Sequence, residues 1–174
     1  IVGESVSGEP SNFGMLYWPV QIYAKGWWRT IVGRPHTPVD LVPVDFVADA
    51  LELLSRPVRP VGATYHLAAG AEGNRSIEQL AELCRTYFGG KAPRYVEPAF
   101  FMRWVRPFLN LSLWGKRGRV LKDGGSFFVP YFSGNPVFDV SATRSALKGS
   151  GLSVPTVEDY FGRLLDYCVA TDFG

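Results

Sequence analysis

Strand-forming segments are few and short in this chain, and each runs into a helix signal, which confines the fold to a small set of architectures. Asp40-Leu-Val-Pro-Val44 is an apolar run, and Asp45 follows it as an expected N-cap for a helix over Phe46–Leu54 that ends in the Pro57 and Pro60 region. Thr64–Ala68 is a second run of strand character, followed by a Gly-rich loop that closes at Ser76. Ser76 and Gln79 make a capping box, and Ile77, Leu80, Ala81, Cys84 and Tyr87 or Phe88 recur at helical spacing until Gly89-Gly90 stops the helix. Arg94–Glu97 reads as a short strand between Pro93 and Pro98, and Ile1-Val2-Gly3 reads as the end of a buried strand that the sequence enters without Met and without a turn. Strands alternating with helices predict an α/β protein, and three or four strands predict an incomplete sheet.

The remaining segments fit around this frame. Residues 4–38 are rich in Gly and Pro around an aromatic stretch from Phe13 to Trp28, which reads as loop and short helix. An apolar block runs from Ala99 to Trp114, and a long loop is expected over 115–138. Asp139 or Ser141 caps a short helix through Leu147, Gly149 and Gly151 break it, and Pro155-Thr156 opens a last helix whose Val157, Tyr160, Phe161, Leu164, Leu165 and Cys168 hold the 3.6-residue period. A chain of 174 residues that is 47% hydrophobic and 20% charged can bury a core, which excludes a disordered polymer and predicts a single domain over 1–174. A net charge of +2 argues against nucleic-acid binding. Cys84 and Cys168 each fall in a helical apolar pattern and read as core thiols of a reducing, cytoplasmic compartment, and His36 and His66 lack partners at metal-ligand spacing, His66 reading as a core histidine. No metal site, membrane span or secretory leader is expected.

The ordered set Ile1-Val-Gly-Glu-Ser5, Asp40-Leu-Val-Pro-Val-Asp-Phe-Val-Ala48, Thr64-Tyr-His-Leu67, Ser76-Ile-Glu-Gln-Leu80 and Phe138-Asp-Val-Ser-Ala142, followed by a capped final helix, resembles the C-terminal half of an extended short-chain dehydrogenase/reductase, in the NAD-dependent epimerase/dehydratase superfamily. Within it the chain looks most like the acyl-thioester and fatty acyl-CoA reductase branch, also called male-sterility type. The resemblance implies the C-terminal part of a Rossmann-like doubly wound sheet with a helical substrate-binding region, and an N-terminal nucleotide-binding half that this sequence lacks. No Gly-x-Gly-x-x-Gly or Gly-x-x-Gly-x-x-Gly turn occurs, and Tyr87-Phe-Gly-Gly-Lys91 matches a Tyr-x-x-x-Lys spacing with a helix stop between its two ends. No catalytic residue is therefore expected in these 174 residues; the intact enzyme would use NADP or NAD to reduce an acyl thioester to an aldehyde or alcohol.

By the same resemblance, the backbone of Ile1, Val2 and Gly3 passes beside the cofactor, with a plain strand-end turn as the other reading of Gly3. Glu4 and Ser5 lie at the carboxyl end of that strand, where ligands of open α/β sheets bind. Asn12, Phe13, Tyr17 and Trp28 are expected to line the substrate cleft, and the segment flanked by Asp40 and Asp45 to support its floor.

Residues 98–122 hold Arg103, Arg106, Lys116, Arg117, Arg119 and Lys122 among aromatic and aliphatic residues, with no acidic residue. Three readings stay open: a helix packed on the missing half, with a solvated basic loop; an acyl-chain wall whose Lys116, Arg117 and Arg119 meet the phosphates of coenzyme A or a carrier's phosphopantetheine; and a peripheral membrane contact. The function classes that follow are part of an acyl-thioester reductase, part of a nucleotide-sugar or sterol-type epimerase, dehydratase or dehydrogenase, or a non-catalytic module that binds lipid or a second chain supplying the nucleotide half.

Overall fold

The computed structural model describes residues 1–14, 16–26, 30–56, 62–105 and 136–174. In chain order its elements are α1 (Tyr17–Ala24), β1 (Thr30–Val32), β2 (Pro38–Val39), α2 (Val44–Leu54), α3 (Gly70–Gly73), β3 (Arg75–Ser76), α4 (Ile77–Phe88), β4 (Arg94–Val96), α5 (Pro98–Phe100), a π-helical turn (Phe101–Val105), α6 (Ser141–Leu147) and α7 (Val157–Ala170). The class is α/β, as the strand–helix alternation predicts, and the strands are two or three residues long. The described residues form two compact units, one built from 1–16, 39–75 and 136–174, the other from 17–38 and 76–105. β2 and β3 form a two-stranded sheet.

In the first unit Val2 forms a parallel bridge with Pro43: its N–H donates to Val42 O at 2.9 Å and its carbonyl accepts from Val44 N–H at 3.2 Å. That places the Gly3–Ser5 turn at the start of α2. The core gathers Val42, Phe46, Val47, Ala50, Ala69 and Leu147, with Leu67, Leu152 and Val154 packed against it. α7 adds Val157, Tyr160, Phe161, Leu164, Leu165 and Cys168, the apolar face its period predicts. Thr156 and Asp159 close its first turn, the Thr156 N–H donating to Asp159 Oδ2 at 3.0 Å, which satisfies an amide that the helix leaves open. The Tyr160 hydroxyl, fully buried, donates to Leu41 O at 3.2 Å.

Three expectations are corrected in this unit. Asp45 is not the N-cap of α2: Pro43 takes that position with its ring-fixed φ of −71°, and Asp45, in the first turn, turns its carboxylate to Ser5. Thr64–Ala68 forms no strand among the described residues; a side chain binds its middle, and another binds the backbone just after it. Thr143 Oγ1 donates to His66 O at 2.8 Å, and the Asp40 carboxylate accepts from Ala69 and Gly70 N–H at 2.8 and 2.9 Å. His66 is exposed rather than buried, its Nδ1 lying 3.0 Å from Asp139 O.

The second unit rests on α4, whose Ile77, Leu80, Ala81 and Cys84 are buried and which packs against α1 through a core that includes Tyr17, Val20 and Ile22. The Ser76–Gln79 capping box forms with bonds of 2.8 and 3.2 Å, and Gly89 ends the helix at φ +74°. Tyr87 and Lys91 therefore do not share a helical face. β1 and β4 pair in parallel with Thr30 opposite Arg94, Ile31 opposite Tyr95 and Val32 opposite Val96. β1 is an addition to the sequence reading, which gave this region only loop and short helix; its β-branched triplet is the available signal. Neither cysteine is in a disulfide and both are buried, and burial pushes the Cys168 thiol up to about 11, so it stays an unreactive core thiol at neutral pH.

Candidate functional site

The residues expected to meet cofactor and substrate begin in the turn Gly3–Glu9, at the carboxyl end of the Val2 bridge. The turn is closed by Glu4 N–H donating to Glu9 O and Gly8 N–H donating to Glu4 O, both at 3.0 Å. Gly3 has a steric reason of its own: a Cβ there would stand 2.7 Å from Gly8 O and 2.9 Å from the Glu9 carbonyl. The close approach that glycine permits is made here by the turn itself.

Ser5 is held from three sides. Its N–H donates to Asp45 Oδ1 at 3.0 Å, its hydroxyl donates to Asp45 Oδ2, and its carbonyl accepts from Arg163 Nη1 at 2.8 Å. The same guanidinium nitrogen also donates to Asp159 O at 2.9 Å, so α7 anchors the turn through Arg163 as α2 does through Asp45. With its proton committed to Asp45, the Ser5 hydroxyl has acceptor capacity to offer a ligand. Glu4 is exposed and its Oε2 accepts from Ser7 Oγ at 2.8 Å.

Partial burial pulls the Asp45 carboxyl upward, but the hydroxyl and amide of Ser5, with the N–H groups of Asp45 and Phe46, outweigh it and hold Asp45 below the ordinary carboxylate range. Asp45 is thus a permanent anion at neutral pH, suited to fixing the turn and not to carrying a proton. A carboxylate whose folded value is depressed adds stability above its unfolded value, near pH 3.9, and that contribution disappears as pH falls through the folded value. Urea midpoints measured between pH 6 and 2.5 are expected to drop at the acid end, and Asp45→Asn is expected to make that drop shallower. An unchanged profile in the variant would remove Asp45 from this role.

The other expected residues scatter. Phe13 stacks on Tyr167 of α7 with centroids 6.3 Å apart, and burial, with the neighbouring Glu9 carboxylate, pushes the Tyr167 phenol upward. Asn12 is exposed, its carbonyl accepting from Gly14 N–H at 2.9 Å. Tyr17 is 5% exposed and belongs to the core of the second unit. Trp28, Lys116, Arg117 and Arg119 lie outside the described residues, as does all of the 98–122 block beyond residue 105. In its described part, Phe101 is buried while Phe100 and Trp104 are exposed, with the Arg103 guanidinium 5.7 Å from the Trp104 ring centre.

The sequence has no glycine-rich turn opening a helix to cradle a pyrophosphate. Around Gly3 the described residues place Gly8 O and the Glu9 carbonyl on its Cβ side. They include no cluster of three metal-ligating side chains, and no helix among them is long and apolar enough to cross a membrane. Arg163 was missed from sequence, and no local signal marks it, since its partner Ser5 lies 158 residues away.

No protein-family model matches the chain, and no curated protein matches it. Solved structures do. The terminal R domain from the myxalamid PKS-NRPS biosynthetic pathway superposes with a TM-score of 0.73 at 21% identity, covering 99% of this chain and 43% of that one. A thiolation-reductase di-domain from an archaeal non-ribosomal peptide synthetase superposes with a TM-score of 0.62 at 19% identity, covering 99% of this chain and 35% of that one. The likeness is one of fold, matching the C-terminal part of a reductase domain, and the chain spans less than half the length of either structure.

Proposed function

We propose that this chain is the C-terminal, substrate-binding part of an NAD(P)-dependent reductase that acts on an acyl thioester carried by a phosphopantetheine arm or by coenzyme A. The observation that carries the reading is the fold likeness over 99% of the chain to a terminal R domain. Its partial coverage of that structure agrees with the sequence resemblance, which implies a separate nucleotide-binding half.

The division of labour follows from the residues present. The nicotinamide cofactor supplies hydride when bound, and its pyrophosphate would be held by the other half, since this sequence has no glycine-rich turn to cradle it. The Gly3–Glu9 turn, fixed by Asp45 and Arg163, gives the substrate side a backbone that does not reorganise. A thioester carbonyl must be held within a few tenths of an ångström to react efficiently, and rigid positioning of this kind is the contribution a non-catalytic half can make. In this reading Glu4 and Ser5 contact substrate, Ser5 through its acceptor lone pairs.

The test is NADPH and NADH oxidation by the natural gene product containing these residues, with acyl phosphopantetheine and acyl-CoA thioesters as substrates and aldehyde or alcohol identified by mass spectrometry. Thioester-dependent oxidation with one of the two nucleotides is expected. Turnover of nucleotide sugars without turnover of thioesters would replace this reading with the epimerase one, and no nicotinamide chemistry at all would leave a binding module.

A further inference from the structure

The first unit contains a cleft of about 550 Å³ that the reductase reading does not use. Its floor is apolar, made by Phe46, Ala69, Val140 and Leu147 with the half-buried Leu152 and Val154. Its rim carries three cations, Arg75, Arg144 and Lys148, against one carboxylate, Glu72. A volume in this range suits a small organic ligand whose body is apolar and whose orientation is set by a few polar groups.

The three cations differ in what they have left to give. Arg75 is spent on the fold: its Nε and Nη2 each donate to the Glu158 carboxylate at 2.7 Å, and its Nη1 donates to Gly73 O and Asn74 O. Arg144 meets Glu72 at 2.7 Å, but both side chains are more than half exposed, so this pair is weak and a ligand anion can compete with Glu72 for the guanidinium. Lys148 is exposed and has no ion-pair partner among the described residues. The wall beside it is stiff, because Ser150 Oγ donates to Leu147 O at 2.7 Å and accepts from Leu152 N–H at 3.1 Å, stapling the turn between Gly149 and Gly151. Ser153, exposed on the same wall, adds a hydroxyl.

We propose that this cleft is a binding site for an amphipathic anion, with the acid headgroup held by Lys148 and Arg144 and the apolar body laid on the half-buried Leu152 and Val154. The assignment is independent of the reductase reading, since none of these residues belongs to the Gly3–Glu9 turn. A carboxylate and a phosphate share the headgroup chemistry, and the experiment separates them.

Isothermal titration of the full chain with decanoate, decyl phosphate, decanol and inorganic phosphate tests it. One-to-one binding of decanoate or decyl phosphate is expected, the tighter of the two naming the headgroup, with decanol and inorganic phosphate at least tenfold weaker. Lys148→Ala is expected to weaken the anion about fivefold, the loss of one exposed charge-assisted contact. Glu72→Gln is expected to tighten it about threefold by releasing Arg144 from its competitor. Both substitutions are at exposed positions, and their folding is checked by circular dichroism. Absence of binding by both amphiphiles, equal binding of decanol, equal binding of inorganic phosphate, or insensitivity to both substitutions would each overturn the site.

Discussion

Gly8→Ala is expected to lower stability by about 3 kcal/mol, roughly 6 to 12 °C in thermal midpoint for a chain of this size. Gly8 adopts φ +77°, and a Cβ at that position would stand 2.1 Å from Arg163 O and 2.6 Å from the Arg163 carbonyl carbon. The obstacle is the backbone of α7 in mid-helix, which cannot step aside without losing a helical hydrogen bond. Gly151→Ala is the matched control, because Gly151 has a similar φ of +79° with no atom within 4 Å of its missing Cβ. Its cost should be about 1 kcal/mol, the conformational part alone. Differential scanning calorimetry of the two variants separates contact from backbone strain, and equal losses would show that the turn does not press on α7 as described.

Tyr160→Ala is expected to cost about 4 kcal/mol, since removing a large aromatic side chain from a fully buried position leaves a cavity the surroundings only partly fill. That is a large share of the 5–15 kcal/mol that holds an ordinary domain together, so the variant should be partly unfolded at 37 °C. Tyr160→Phe keeps the volume and removes the hydrogen bond to Leu41 O, so its loss should be about 1 kcal/mol. Urea denaturation of both variants measures the split. A Tyr160→Phe loss close to that of Tyr160→Ala would mean that the hydroxyl, not packing, dominates.

The elements that were legible in the sequence are those whose signals are local. α4 is announced by Ser76 and Gln79 three residues apart and ended by Gly89, and α7 by Thr156 with an unbroken apolar period behind it. The errors fall where a partner is far away along the chain. Asp45 looked like a cap because a carboxylate between an apolar run and a helix usually is one, but Ser5, 40 residues earlier, claims it. Thr64–Ala68 has strand composition, and the Thr143 side chain that binds its His66 carbonyl comes from 77 residues away. In the candidate site, the order of motifs points to Glu4 and Ser5 as expectations, whereas nothing in the neighbourhood of Arg163 suggests that it binds the Ser5 carbonyl. Trp28 and the basic residues at 116–119 fall outside the described residues, so the acyl-wall and membrane readings of that block stand as proposals.

The interleaving of the two units along the chain also sets a timetable. The first unit is begun by residues 1–16 and 39–75, yet six of its buried residues come from α7 at 157–170, after the second unit's segments have been made. Tyr160 follows Leu41 by 119 residues, which at the ordinary pace of translation is a wait of roughly 6 to 24 s. During that interval Phe46, Val47 and Ala50 also wait for Leu147, Leu152 and Val154, the later residues of their own cluster. The yield of such a chain in a host is expected to respond to the supply of holding factors near the ribosome more than that of a protein whose core closes in sequence order.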